Sequence, residues 1–196
     1  MRHLPGITLH ELSVQRMLQI KAMKKSKKVA FCAILAALST VIVLIGQFFT
    51  AAAQAMPAIA GLFSIIIVIE IGVKWALAAY FVSSILTFIF GLSEAGLIFV
   101  MFFGYYPIIK SLLEKIHSRV AEYIAKFAVF NAAMIAAYAI LIKIFGLAAL
   151  GFDSMIFVWI VLAIGNVFFI FYDLCLTKII ALYFQKYHKH IKKLLK

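Results

Sequence analysis

The hydrophobic residues of this chain fall in long runs that are separated by short polar stretches. An α-helix needs about 17 to 25 apolar residues to cross the hydrocarbon core of a bilayer, and the length of each run is close to that number or above it. The pattern predicts a helix over each of six runs, which cover residues 29–48, 58–73, 75–90, 95–113, 124–145 and 155–184. The second and third runs meet near Gly72 and Lys74, so we expect a tight helical hairpin there. The predicted fold is all-α, a polytopic membrane bundle of six transmembrane helices.

Composition supports this class. The chain is 66% hydrophobic and 13% charged, which leaves too little polar surface to cover a soluble core of this size. We therefore expect a basic segment over residues 1–28, one membrane domain over 29–184 and a basic tail over 185–196. The run after Met23 is typical of a natural start, and one hypothesis is that the first 22 residues are an extension.

The positions of Lys and Arg predict the orientation. Short cytoplasmic segments are enriched in these residues, and here they gather at both ends of the chain and in the connections after the second and fourth helices. Both termini are thus expected in the cytoplasm, with the protein in a bacterial inner membrane. The net charge of +12 is better explained by the anionic surface of the bilayer than by nucleic acid, which is not an expected partner.

Ionisable residues within or beside the runs form one candidate site. Glu70 and Lys74 are four residues apart, as are Lys110 and Glu114, so each pair is expected to share a helix face. With Asp173, these residues predict a charge cluster near the cytoplasmic side that links the second, fourth and sixth helices. Two readings are open: a network that fixes helix packing, or groups that transmit motion or contact a cytoplasmic partner.

Polar residues nearer the outer ends form a second candidate site. They could line a pocket that opens to the exterior and holds a small solute, or they could form hydrogen bonds between helices. The residues of this predicted pocket are Gln47, Ser84, Glu94, Asn131, Tyr138, Trp159 and Asn166.

Motifs that carry catalysis are absent from the sequence. It contains no phosphate-binding loop of the Walker type, no nucleophile elbow, no HExxH and no paired histidine cluster. Cys32 and Cys175 lie inside apolar runs without the spacing of metal ligands. We therefore expect no enzymatic activity, no cofactor and no metal, and the chain has no nucleotide site with which to energise transport itself.

The first helix and its basic lead resemble a known family. Six helices with both termini inside, a cluster of Lys before the first helix, and Ala33 and Ala37 four residues apart resemble the substrate-binding S components of energy-coupling factor transporters, over roughly residues 27–184. The resemblance implies that Ala33 and Ala37 dock a transmembrane T component, which two cytoplasmic ATPases drive. It also implies uptake of a small solute of the vitamin or cofactor-precursor class.

The fourth helix, around Pro107, is similar to a group of uncharacterised bacterial membrane proteins placed near those S components. The alanine-rich connection after the first helix departs from the longer loop that caps the pocket in several S components, and no vitamin-specific residue set is recognisable.

Two functions follow as hypotheses. The first is a small-molecule uptake subunit that works with those partners. The second is a membrane scaffold or regulator that transports nothing and binds partner proteins through helix faces and basic tails. An autonomous ion-coupled carrier ranks third, because the acidic residues lie near the predicted ends of the helices rather than at the midplane.

Overall fold

Six helices, numbered here α1 to α6, make up the regular structure of the described residues. The computed structural model describes residues 25–49, 55–90, 94–145 and 155–186. The helices are α1 (Lys25–Phe48), α2 (Ala55–Glu70), α3 (Val73–Ile89), α4 (Glu94–Leu113), α5 (Arg119–Phe145) and α6 (Met155–Lys186). The all-α fold and the helix count are confirmed. Residues 1–24 and 187–196, which include the predicted extension and most of the basic tail, lie outside the described residues, as do most residues between α1 and α2, between α3 and α4 and between α5 and α6.

The turn between α2 and α3 is as short as the sequence indicates. Glu70 ends α2, and Val73 begins α3. Gly72 between them has φ +123° and ψ 168°, a backbone conformation that is open essentially to glycine alone. Glu70 and Lys74 therefore belong to different helices, and the spacing of four that predicted a shared face does not apply to them.

α4 is an interrupted helix. An α-helical turn over Glu94–Ile98 passes into a π-helix over Phe99–Phe103, where the Gly104 amide donates to the Phe99 carbonyl at 2.7 Å. A regular α-helix resumes at Tyr106–Leu113 with Pro107 in its first turn, where a proline is tolerated because the amides of a first turn have no helical partner. A proline inside the fourth apolar run predicts a kink in this helix, and the structure has a break in the helix just before Pro107.

The break in α4 is held by its neighbours. Tyr80 on α3 donates to the Val100 carbonyl at 2.8 Å, and Ser64 on α2 donates to the Gly104 carbonyl at 3.1 Å. α2 also comes very close at Gly61, where an added Cβ would lie 2.3 Å from the Phe103 carbonyl oxygen. Polar backbone groups released by an irregular helix need such partners in an apolar environment.

The core lies mainly among α1 to α4. α1 packs on α2, on α3 and on the first part of α4. Its buried face, with Cys32, Leu35 and Ala36, packs in one cluster with Ile67 of α2 and with Ile71, which lies in the turn after α2. A second core cluster joins α2, α4 and α6 through residues such as Ile65, Tyr106, Phe169 and Leu176.

Apolar side chains cover much of the outer surface. Phe48 is 82% exposed, and Phe168 on α6 is 71% exposed. α1, α4, α5 and α6 are each long and apolar enough to cross a membrane, whereas α2 and α3 are shorter apolar helices. Only 11% of the residues in the apolar window of α5 and 17% of those in α6 are buried, against 39% in α1 and α4. An exposed apolar surface of this kind is typical of a multi-pass helical membrane protein, because lipid tails cover the side chains that do not pack inside the bundle.

Candidate functional site

A buried network of charged side chains joins α4, α5 and α6, with Asp173 of α6 at its centre. Tyr106 on α4 donates its hydroxyl to Asp173 Oδ1 at 2.7 Å. The Lys110 ammonium, also on α4, contacts the same oxygen. Lys126 on α5 reaches the other carboxylate oxygen, Oδ2, at 3.2 Å. The Asp173 carboxylate therefore links α6 to both α4 and α5.

Three further groups complete this network, which we call the Asp173 network. Lys110 also contacts Glu114 at 3.2 Å and Thr177 Oγ1 at 2.9 Å, and Lys126 contacts Glu122 at 2.7 Å. The side chain of Lys110 is 0% exposed and that of Lys126 is 4% exposed. Two buried ammonium groups thus face three carboxyl groups, of which those of Glu114 and Glu122 are 25% and 18% exposed. The buried positive charges are therefore paired with carboxylates, as buried charges require.

Helical spacing places these side chains. Tyr106 and Lys110 lie four residues apart on α4, and Glu114, four residues further on, caps the end of that helix. Glu122 and Lys126 lie four residues apart on α5. Residues four apart lie on one face of a helix, so each helix presents a short polar strip to the others. Asp173 and Thr177 form the matching strip on α6.

The structure brings together three of the five residues of the predicted charge cluster. Lys110, Glu114 and Asp173 are in the network. Glu70, in contrast, accepts a hydrogen bond from Tyr183 Oη at 2.8 Å, which ties the end of α2 to α6. Lys74 is exposed at the start of α3.

Four members of the network are new relative to the predicted cluster: Tyr106, Glu122, Lys126 and Thr177. The spacing of four between Tyr106 and Lys110, and between Glu122 and Lys126, is a signal that points to them. It indicates polar strips on α4 and α5 but does not tell which helix each strip faces.

Asn131 and Asn166 of the predicted pocket bind each other. Each side-chain amide donates to the oxygen of the other at 3.0 Å, which links α5 to α6. Each also donates to a carbonyl four residues earlier in its own helix, Phe127 for Asn131 and Leu162 for Asn166, both at 2.8 Å. Both amides are engaged in helix packing in this conformation.

The other residues of the predicted pocket are spread over several helices. Gln47 is half-buried near the end of α1, and Ser84 and Tyr138 are half-buried on α3 and α5. Glu94 is exposed at the first position of α4, and Trp159 is 68% exposed on α6. Among the contacts described for the seven residues, Asn131 with Asn166 is the pair that the structure brings together.

A groove opens on the side of the bundle among α2, α4, α5 and α6. It has a volume of about 500 Å³ and is lined by aliphatic and aromatic side chains, among them Ile59, Phe102, Met134, Phe168 and Ile179. The residues of the predicted pocket are not among those that line it. Its chemistry suits hydrocarbon rather than a polar solute.

Ala33 and Ala37 are both exposed on α1. The buried side of the same helix carries Leu35, Ala36 and Ser39, so the two alanines lie on the outer side. Small residues at this spacing let another helix approach closely.

Over the described part of the chain, no group of three or more His, Cys, Asp or Glu is placed to hold a metal ion.

The chain was compared with protein-family models, with curated proteins and with solved structures, and none of them matches it.

Proposed function

We propose that the chain is a multi-pass protein of the bacterial inner membrane that binds a small solute for uptake and docks, through α1, on a transmembrane partner driven by cytoplasmic ATPases. Membrane insertion is supported by the four apolar helices of spanning length and by the exposed aromatic side chains on α6. In water these side chains would cost free energy in proportion to their exposed area, whereas lipid removes that cost. The positions of Lys and Arg support cytoplasmic termini.

The observation that carries the docking part of the proposal is the outer face of α1. Ala33 and Ala37 are exposed there, and Ile34 and Leu38 beside them are 61% and 43% exposed. Between Ala33 and Leu38 this face of α1 is apolar and carries no charged side chain, and the small side chains of the two alanines leave a shallow surface on the helix. These are the properties of a surface on which a second transmembrane helix packs at short distance.

The proposal is tested by replacing both Ala33 and Ala37 with Leu and purifying the tagged chain from native membranes in mild detergent. Leucine keeps the helix apolar but fills the shallow face, so we expect a membrane partner and its ATPases to co-purify with the unaltered chain and to be lost from the double variant. The matched control is Ala132→Leu with Ala136→Leu. These two residues are also exposed and four apart, but they lie on α5.

Retention of the partner by the Ala33 and Ala37 double variant would contradict docking through α1. Purification of the unaltered chain without any ATPase, together with the absence of a bound solute in native mass spectrometry, would contradict the uptake function as a whole.

A second candidate function, a scaffold that transports nothing, is favoured by one observation. Asn131 and Asn166 satisfy each other's hydrogen-bonding groups between α5 and α6, which removes two of the seven residues proposed to contact a solute in this conformation. A scaffold would co-purify with partner proteins and would show no solute in the same mass spectra.

A further inference from the structure

The lateral groove is long and uninterrupted by charge. Along α6 its lining extends from Gly165 to Ile179, a length of about 21 Å at a rise of ~1.5 Å per residue. One leaflet of a bilayer contributes roughly 15 Å of hydrocarbon. The groove is therefore long enough for an extended acyl chain that lies parallel to the helices.

The floor of the groove is formed by aromatic rings. Phe130 on α5 stacks on Phe169 on α6 with ring centroids 4.4 Å apart, and Phe102 on α4 lies 5.8 Å from Phe130. At one end Gly165 contributes no side chain. These contacts join rings from α4, α5 and α6, so the floor of the groove is made by three helices packed together.

A positive charge lies at the other end. Lys178 is exposed on α6, next to the lining residue Ile179. Phe171, Cys175 and Lys178 share a helix face, because they follow one another at intervals of four and three. Lys110 and Lys126 are neutralised in the Asp173 network, whereas the ion pairs found among the described residues do not include Lys178. Lys178 also lies towards the predicted cytoplasmic end of α6, where the membrane leaflet carries anionic lipids.

We propose that the lateral groove binds one anionic phospholipid of the cytoplasmic leaflet, with an acyl chain along the aromatic floor and the phosphate at Lys178. The apolar lining selects hydrocarbon, and the single ammonium at its end selects a negative head group. This inference requires membrane insertion with the end of α6 inside the cell. It requires neither solute uptake nor docking through α1, so the two proposals can fail separately.

The first test uses native mass spectrometry of the full chain in detergent, with phosphatidylglycerol or phosphatidylcholine of identical acyl chains. We expect one molecule of phosphatidylglycerol to be retained in preference to phosphatidylcholine. Lys178→Gln removes a contact worth about 1 kcal/mol, and it is expected to weaken the binding of phosphatidylglycerol about fivefold. The control is Lys74→Gln, at an exposed lysine on α3, which leaves binding unchanged.

A second pair of variants tests the groove itself. Ala58 lines it, and Ala58→Trp is expected to abolish retention of the lipid by filling the space. Ala78→Trp, at an exposed position of α3, adds the same side chain elsewhere and is expected to leave retention intact.

A third measurement needs no mutation. Cys175 lines the groove and is exposed, whereas Cys32 is buried. Phosphatidylglycerol is expected to slow the alkylation of Cys175 by N-ethylmaleimide in the unaltered protein, and phosphatidylcholine is expected to do so less.

The proposal is overturned if both lipids bind the unaltered chain equally, if Ala58→Trp retains as much lipid as the unaltered chain, or if neither lipid protects Cys175. Crosslinking of Cys175 to a partner protein in native membranes would show that a transmembrane helix fills the groove instead, and it would equally overturn the assignment to lipid.

Discussion

Replacing Lys110 with methionine tests whether the Asp173 network stabilises the bundle. Methionine has a similar length but no charge, so the change removes the contacts to Asp173, Glu114 and Thr177 without leaving a large cavity. Removal of one partner of a fully buried ion pair costs about 3–5 kcal/mol in soluble proteins. In membrane bundles a single interhelical hydrogen bond is worth about 0.6 kcal/mol. Lys110 makes three of them to α6, to the Asp173 carboxylate, the Asp173 carbonyl and Thr177 Oγ1, which amount to roughly 2 kcal/mol.

We expect a loss between these two estimates, roughly 2 kcal/mol from the separate hydrogen bonds and about 3–5 kcal/mol from the buried ion pair. Asp173 keeps the Tyr106 hydroxyl and the Lys126 ammonium after the change, so its charge is still matched, and the loss falls near the lower end of the range for buried pairs. We expect the free energy of unfolding to fall by about 2–3 kcal/mol. Equilibrium unfolding in mixed micelles with increasing dodecyl sulfate measures it.

A double-mutant cycle separates the network from a general effect of the substitution. Asp173→Asn alone leaves two buried ammonium groups with fewer partners, whereas Lys110→Met with Asp173→Asn removes one charge of each sign. The double variant is expected to lose at least about 1 kcal/mol less than the sum of the two single losses, because neighbouring residues of a network are coupled. Lys74→Met, at an exposed site, serves as the control and is expected to stay within about 0.5 kcal/mol of the unaltered chain. A loss below about 0.5 kcal/mol for Lys110→Met, or strict additivity in the cycle, would refute this account of the network.

Other substitutions probe backbone geometry and helix pairing. Gly61→Ala is expected to cost about 1–3 kcal/mol and to lower the thermal unfolding midpoint, because its Cβ would lie 2.3 Å from the Phe103 carbonyl oxygen; an unchanged midpoint would mean that α2 and α4 separate freely at this point. Gly72→Ala meets no atom within 4 Å but must adopt φ +123°, so we expect it to cost about 1–3 kcal/mol through backbone strain alone, and a neutral result in the same assay would contradict that. Asn131→Ala and Asn166→Ala are expected to show a coupling energy of about 0.6 kcal/mol in a double-mutant cycle, whereas independent effects would show that the paired amides do not support each other.

Much of the architecture was predictable because it depends on local patterns. Apolar runs of spanning length identify six helices, and the short polar interval at Gly72 identifies the turn between α2 and α3. Lys110 and Glu114 were recognisable as a pair because helical spacing alone brings them together. These features depend on residues that are close in the chain.

Features that depend on contacts between distant segments of the chain could not be predicted from the sequence alone. Asn131 and Asn166 are 35 residues apart, and their residue type fits a solute pocket as well as a pair between helices. Lys126 reaches Asp173 only because α5 and α6 pack side by side at that level. Pro107 indicated a kink in α4, but the π-helix before it adjusts the register of the helix to neighbours that the sequence does not identify.

The π-helix in α4 fixes how the two ends of that helix are rotated relative to each other. A single inserted residue turns everything after it by about 100° around the axis, since an α-helix has 3.6 residues per turn. The polar strip that begins at Tyr106 therefore points at α6 because of the wider turn at Phe99–Phe103. Deleting one residue from that turn would direct the strip elsewhere even if every other amino acid stayed the same, so the length of this short stretch matters as well as its residue types.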